Sequence, residues 1–348
     1  MLARLMSMVS RRSFQAGLAA APMLAAGSAF PAKFGIDLFS LRSQGWSPFE
    51  LLDYCARQGA KVVHFSEIRF LGGLERAHLE KVRDHARRLG IELEIGMLSI
   101  CPTAARFDAA QGTAEEQLTR MIEAAKVVEA PLVRCVLGDW RDRASKTPLG
   151  QSIENTVKTL RAVRTRAMDA GKRIAVENHG GDLQARELKM LIEEAGRDVV
   201  GACIDSGNPT WAIEDPHLTL ETLAPYVLTS HVRDSAVWRT PEGAAMQWTR
   251  MGEGNVDIGG WVKRFAQLCP GKALSLEIIV TGTRPFPYLD PKFWEAFRTT
   301  PAWEFARFAA LAEKGKPLAA RPAVAKELAA AKEREDLEAS IQWLRNLS

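Results

Sequence analysis

Cysteine is sparse in this chain and poorly spaced for chemistry. Cys55, Cys101, Cys135, Cys203 and Cys269 form no CxxC pair and no zinc-ribbon spacing. That leaves no thiolate set for a structural zinc site. Their number is odd, and Cys101, Cys135 and Cys203 lie in or beside apolar runs. Buried free thiols are therefore the expected state, and a bridge is permitted but not demanded. No G-x-G-x-x-G follows the first apolar run, which argues against a dinucleotide-binding domain. An excess of one charge is also missing, with 46 basic and 42 acidic residues. Hydrophobic residues at 47% and charged residues at 25% argue against disorder or a fibrous repeat. The length of 348 residues accommodates a single α/β barrel.

The N-terminus reads apart from the rest. Arg4, Arg11 and Arg12 precede an Ala-rich apolar stretch from Ala16 to Ala26, followed by Gly27-Ser28-Ala29. This is a basic region, a short apolar region and a small-residue cleavage site. The stretch is too short to span a bilayer well. Arg11-Arg12-Ser13-Phe14 resembles the twin-arginine export signal. An ordinary secretory signal or an uncleaved anchor are the alternatives. Residues 1–29 are thus expected to be an export signal, cleaved after Ala29, giving a periplasmic or exported protein with no stable membrane anchor. Cleavage removes three arginines and no acid, so formal charge falls from +4 to +1. A near-neutral domain lacks the basic excess of a nucleic-acid binder, and no nucleic-acid partner is expected.

From Lys33 onward, short apolar runs alternate with amphipathic ones. Eight runs read as strands: Phe34–Phe39, Val62–Ser66, Glu92–Leu98, Leu132–Leu137, Ile174–Glu177, Gly201–Ile204, Val227–His231 and Ala273–Ile279. Several are continuously apolar, as suits parallel strands buried on both faces. Helical patterns lie between them. Ser47-Pro48-Phe49-Glu50 opens the first with a cap, a proline at the first helical position and a reciprocating glutamate. The others span Leu74–Leu89, Glu115–Val128, Ser152–Ala170, Asp182–Ala195, Leu218–Pro225, Gly259–Leu268 and Pro291–Leu311, the last interrupted at Pro301. Strand then helix, eight times, predicts an α/β fold, a (β/α)8 TIM barrel over residues 30–315. A C-terminal helical extension follows over 316–348. Within it, Ala323–Leu344 carries Leu328, Leu337, Ile341 and Leu344 as apolar points. That helix either packs on the barrel or makes a homo-oligomer contact.

The polar residues at the strand ends carry the chemistry. The fifth strand ends in Glu177-Asn178-His179 and the sixth in Asp205-Ser206-Gly207-Asn208. The seventh ends in His231-Val232-Arg233-Asp234, and the eighth contains Glu277. In a barrel, residues at the carboxyl ends of strands face one mouth. Three carboxylates brought that close repel one another unless a cation neutralises them. Oxygen and imidazole donors suit one divalent metal ion: Mn2+, Mg2+, Co2+ or Zn2+. Taken singly, each residue has a plainer reading: Asp205 as a helix cap, His231 as an ordinary core histidine. Glu277 inside Leu-Ser-Leu-Glu-Ile-Ile is harder to dismiss, because an unpaired buried carboxylate is costly.

These pieces, with Gly252-Glu253-Gly254-Asn255-Val256-Asp257 and the opening Phe34–Arg42, resemble the xylose-isomerase-like barrel superfamily. Its members include ketose 3-epimerases, inosose dehydratases, hydroxypyruvate isomerase and endonuclease IV. The resemblance covers residues 33–300. It implies Glu177, Asp205, His231 and Glu277 as metal ligands, with Glu177 and Glu277 also exchanging protons with the substrate carbon. The substrate it implies is a small sugar. Export favours an unphosphorylated one.

Two departures stand out. Asn208 replaces the histidine that ketose epimerases usually carry three residues after the ligand Asp. Arg233 replaces the lysine that many relatives carry two residues after the ligand His. Arg233 could fork onto a substrate oxygen or pair with Asp234 or Asp205. His179, Asn208, Glu67, Arg134 and Arg284 complete the substrate-binding set. Trp211, Trp238 and Trp248 would wall the site or pack in the core. Ser235–Trp248 is expected to be a loop over the mouth. The leading expectation is a metal-dependent isomerase or epimerase of a sugar derivative. Its rivals are a lyase or dehydratase on a keto-sugar or 3-keto-glycoside, and a non-catalytic sugar-binding barrel. The larger ligand set of a multi-metal phosphodiester hydrolase is not evident.

Overall fold

The computed structural model describes residues 33–319 and 324–347. The export signal read over residues 1–29 lies outside the described residues. Strands β1 (Lys33–Asp37), β2 (Val62–Phe65), β3 (Glu92–Ser99), β4 (Leu132–Val136), β5 (Arg173–Glu177), β6 (Val200–Asp205) and β7 (Val227–Val232) run parallel. After an inserted hairpin, β8 (Asp234–Thr240) and β9 (Gly243–Thr249), the chain adds β10 (Ala273–Leu276) and then β11 (Arg284–Phe286). β10 pairs in parallel with both β7 and β1 and closes an eight-stranded barrel in the order β1-β10-β7-β6-β5-β4-β3-β2. This is a TIM barrel.

The strands form where the apolar runs lie because each is covered on both faces. Ile174 and Val176 of β5 and Val63 and Phe65 of β2 are fully buried among helix residues such as Leu188, Leu160 and Leu52. Among the helices, Pro48–Arg57 has the full reciprocal cap between Ser47 and Glu50. The fifth-strand helix begins at Ala185, not at Asp182. Asp182 instead takes N–H groups from Gly138, His179 and Leu183, which holds the loop ahead of that helix. Leu74 likewise precedes its helix, which runs Arg76–Leu89. Pro301 does interrupt the last barrel segment, leaving a 3-10 turn at Pro291–Ala296 and an α-helix at Ala302–Lys314. All five cysteines are buried and free.

The segment Ser235–Trp248 is not a loop. Strands β8 and β9 pair antiparallel from Asp234↔Thr249 to Thr240↔Gly243, and β11 extends them through Arg284↔Met246. The overlooked signal was two runs, Ala236-Val237-Trp238 and Ala244-Ala245-Met246, around Pro241-Glu242-Gly243. Glycine is required at 243: a Cβ there would lie 2.3 Å from the Phe286 carbonyl oxygen, at φ +152°. The sheet packs Val237, Met246 and Phe286 with Phe308 into a second core beside the barrel.

Helix Lys326–Arg345 lies on the barrel. Leu337, Ile341 and Leu344 join the main core, whereas Leu328 is exposed and is not one of its packing points. Among the described residues no helix is long and apolar enough to cross a membrane.

Candidate active site

Strand register brings the four expected residues together. Asp205 lies opposite His231 across β6 and β7, and Ser275 of β10 lies opposite His231 on the other side. Glu177 ends β5, and Glu277 follows β10 directly. Side-chain bonds to the backbone hold these ends. The Asn178 side chain donates to the Asp205 carbonyl and accepts from the Asp205 N–H. Ser206 Oγ donates to the Arg233 carbonyl and accepts the Arg233 N–H. One potential ligand atom from each of Glu177, Asp205, His231 and Glu277 lies within 4.8 Å of the others.

His231 is oriented for this cluster. Its Nε2 faces His64 Nδ1 at 2.9 Å. Its Nδ1 is 3.1 Å from Glu177 Oε2 and 3.1 Å from Glu277 Oε2. Yet Nδ1 is buried with no well-directed hydrogen-bond partner. A buried ring nitrogen facing two carboxylates needs a proton or a cation between them. Burial alone would depress the His231 pKa; Cys203, Glu177, Asp37 and Glu277 outweigh it and hold it well above the ordinary histidine value. The donor set and the orphaned nitrogen both fit a divalent cation.

Two arginines reach the same carboxylates. Arg134 Nε donates to Glu177 Oε2 at 2.6 Å, and Asn208 Nδ2 donates to Glu177 Oε1 at 3.0 Å. Arg233 bridges Asp205 and Glu277. It therefore pairs with Asp205, while Asp234 is occupied by the N–H groups of Gly252, Gly254 and Ser235. Burial pushes Glu177 upward, but Arg134 and His231 prevail and hold it well below the usual carboxylate range. Glu277 is likewise lowered, by Arg233 and His231 against burial. Asp205 goes the other way: burial pushes it to about 7 against the pull of Arg233.

A cavity of about 230 Å3 opens over the cluster, and Glu67, Arg134, His179, Asn208, Arg233 and Glu277 all contribute to its walls. Glu177, Asp205 and His231 are fully buried behind it. His179 Nδ1 is 2.6 Å from the Gly138 carbonyl, and burial lowers its pKa. Glu67 is turned toward Arg69 at the rim. Trp211 and Trp248 stack at 4.2 Å and wall the cavity. Trp238 does not: it packs with Ala236 and Ala245 on the hairpin's other face. Arg284 lies apart, in a neighbouring cavity described below.

Sequence reasoning missed Asp37 and His64. Asp37 Oδ2 lies 3.5 Å from His231 Nε2, and burial pushes its carboxyl to about 7. His64 also lies 3.5 Å from Glu94 Oε2. The available signal was a histidine inside the otherwise apolar Val62-Val63-His64-Phe65.

The sequence profile described as "Xylose isomerase-like TIM barrel" matches residues 51–292. The chain is similar to "3-oxo-isoapionate decarboxylase" of Pectobacterium atrosepticum, 24% identical over 189 residues, covering 54% of this chain and 61% of that one. It spans about three fifths of the length of the curated relatives it matches. Among solved structures, a D-psicose 3-epimerase crystallised in the presence of D-fructose superposes with a TM-score of 0.55 at 16% identity, covering 80% of this chain and 95% of that one. The IOLI protein with a bound zinc atom superposes with a TM-score of 0.58 at 13% identity, covering 90% and 99%. At these identities the solved structures share the fold alone.

Proposed function

The chain belongs to the xylose isomerase-like TIM barrel family, and from that premise we propose a divalent-metal-dependent isomerase or epimerase acting at the carbon next to the carbonyl of an unphosphorylated sugar derivative. The observation that carries this reading is the meeting of Glu177, Asp205, His231 Nδ1 and Glu277 at the ends of neighbouring strands. These four residues would hold the ion. Bound there, a divalent cation supplies Lewis acidity that lowers the pKa of the C–H beside a carbonyl.

The protein's own groups do the rest. Glu177 and Glu277 are kept ionised by arginines and are ready to accept that proton. Asn208 and Arg134 fix the orientation of Glu177. Arg233, paired now with Asp205 and Glu277, presents a fork able to bind an oxygen of the substrate. His179 and Glu67 line the space for the sugar hydroxyls. The stacked Trp211 and Trp248 exclude water from one side, which protects a carbanion from side reactions.

A second reading is a lyase that expels a substituent or carbon dioxide from a keto-acid or keto-glycoside. The similarity to a 3-oxo-isoapionate decarboxylase favours it. For either activity we propose a periplasmic or exported location, supported by the resemblance of Arg11-Arg12-Ser13-Phe14 to a twin-arginine signal.

Metal analysis of the wild type, Glu177→Gln and Glu277→Gln, with solvent deuterium incorporation into candidate ketoses, tests both. Loss of metal in the variants, and exchange with an intact carbon skeleton in the wild type, supports the first reading. Loss of a substituent or of carbon dioxide supports the second. Unchanged metal content and unchanged exchange in both variants would remove the site from consideration.

A further inference from the structure

A second cavity of about 510 Å3 lies against the first, and Trp140 and Trp211 wall both. Its distinctive residue is Arg284. The guanidinium carbon lies 4.5 Å from the ring centre of Trp140, 4.5 Å from that of Trp211 and 5.7 Å from that of Phe286. Among the described residues it has no hydrogen-bond acceptor and no ion-pair partner.

That is unusual for a half-buried arginine. The aromatic faces attract its charge but accept none of its in-plane N–H donors. The acid that acts on it, Asp139, is already engaged by Arg106 and Arg141. Arg143 in the same cavity differs, because it is matched by Glu187 and the Ala296 carbonyl. The site is thus built around a preoriented, unmatched guanidinium fork whose geometry fits a carboxylate. The inner cavity is small and lies over the carboxylate cluster, of which Glu277 reaches its wall. A ligand reaching both would put its reacting end at Glu277 and its far end at Arg284, passing the indoles of Trp140 and Trp211.

We propose that the cavity at Arg284 is a second substrate subsite, which takes a carboxylate-bearing sugar unit distal to the reacting one. The substrate class is then an acidic disaccharide or glycoside, not a neutral monosaccharide. This rests on the reading of the inner cluster as the reacting site. It adds to that reading the charge and length of the substrate.

The test uses the full, metal-loaded protein and three probes of one skeleton: cellobiouronate, neutral cellobiose and cellobiose 6′-phosphate. Binding is followed by tryptophan fluorescence and by calorimetry. Cellobiouronate is expected to bind about tenfold or more tighter than cellobiose. The advantage should shrink between about 0.05 and about 0.5 M salt. It should vanish in Arg284→Gln. Equal binding of the acid and neutral probes overturns the proposal, as does an advantage that survives in Arg284→Gln. Tighter binding of the phosphate ester than of the uronate overturns the carboxylate assignment. Should Arg284→Gln misfold, Arg284→Lys decides: a reduced advantage supports the fork, and an unchanged one overturns it. Failure of the inner site would appear separately, as unchanged metal content in Glu177→Gln and Glu277→Gln.

Discussion

Gly207 sits where a side chain would collide with Arg233. A Cβ there would lie 2.3 Å from Arg233 Cγ and 3.1 Å from Trp248 Nε1. The Gly207 carbonyl also accepts the Trp248 indole N–H at 3.1 Å. The absent side chain therefore lets Arg233 pass between β6 and the hairpin to reach Asp205 and Glu277. Because the clashing atom is near the arginine's backbone, the side chain cannot bend away cheaply. Gly207→Ala is expected to lower stability by about 1–3 kcal/mol. Urea denaturation of a double-mutant cycle checks the cause. In an Arg233→Ala background, which lacks the Cγ, the same substitution should cost clearly less. An equal cost in both backgrounds would show that Arg233 is not what the glycine accommodates.

The β8–β9 hairpin is the element that ties the two cavities together. It supplies Trp248, which stacks on Trp211 at an interplanar angle of 6° and lies 4.5 Å beneath the Arg233 guanidinium carbon. Through β11 it also fixes Arg284 opposite Met246. Burial of such a ring, with its N–H matched, makes truncation expensive. Trp248→Ala is expected to cost about 3–5 kcal/mol in urea unfolding. It should also raise amide exchange in Asp234–Thr240 and Gly243–Thr249. A loss below about 1 kcal/mol with unchanged exchange would mean that the hairpin stands without its aromatic contact. The hairpin was hidden in the sequence for a physical reason. Both of its faces are covered, so its residues lack the alternation of a half-exposed strand. The barrel strands were legible as short apolar runs alternating with amphipathic ones, and four of them end at, or just before, a polar residue of obvious chemical use. Glu177, Asp205 and His231 stand out that way, while His64 was lost inside its run.

Among the described residues, some buried acids are held down and others, Asp205 among them despite its arginine, are pushed up. Glu177 and Glu277 are matched by arginines and are lowered. Glu94, deep in the barrel, has no arginine; burial pushes it from 4.5 to about 7, against a hydrogen bond from Thr229 Oγ1 at 2.6 Å. A carboxyl whose folded pKa is raised contributes its stability below the unfolded pKa and loses it as pH rises through the folded one. Glu94 thus weakens the fold between about pH 4.5 and 7. Glutamine does not titrate and can still accept from Thr229. Glu94→Gln should match the wild type near pH 4 and exceed it above pH 7, by at most about 3 kcal/mol. Thermal unfolding across that range checks it, and a difference independent of pH would contradict the assignment.

What the sequence determined alone was the local pattern: the alternation of strand and helix, the capped start at Ser47, and the acids and histidine at consecutive strand ends. Each of these is written within a few residues, in periodicity or in one polar residue breaking an apolar run. What only the tertiary structure decided was the pairing. Arg233 chose Asp205 and Glu277 over its neighbour Asp234, Arg134 took Glu177, and Arg284 was carried by β11 into a separate cavity where, among the described residues, no acid pairs with it. These outcomes depend on barrel closure and strand register, which bring residues more than a hundred positions apart within hydrogen-bonding distance, as for His64 and His231. No local pattern encodes such distances.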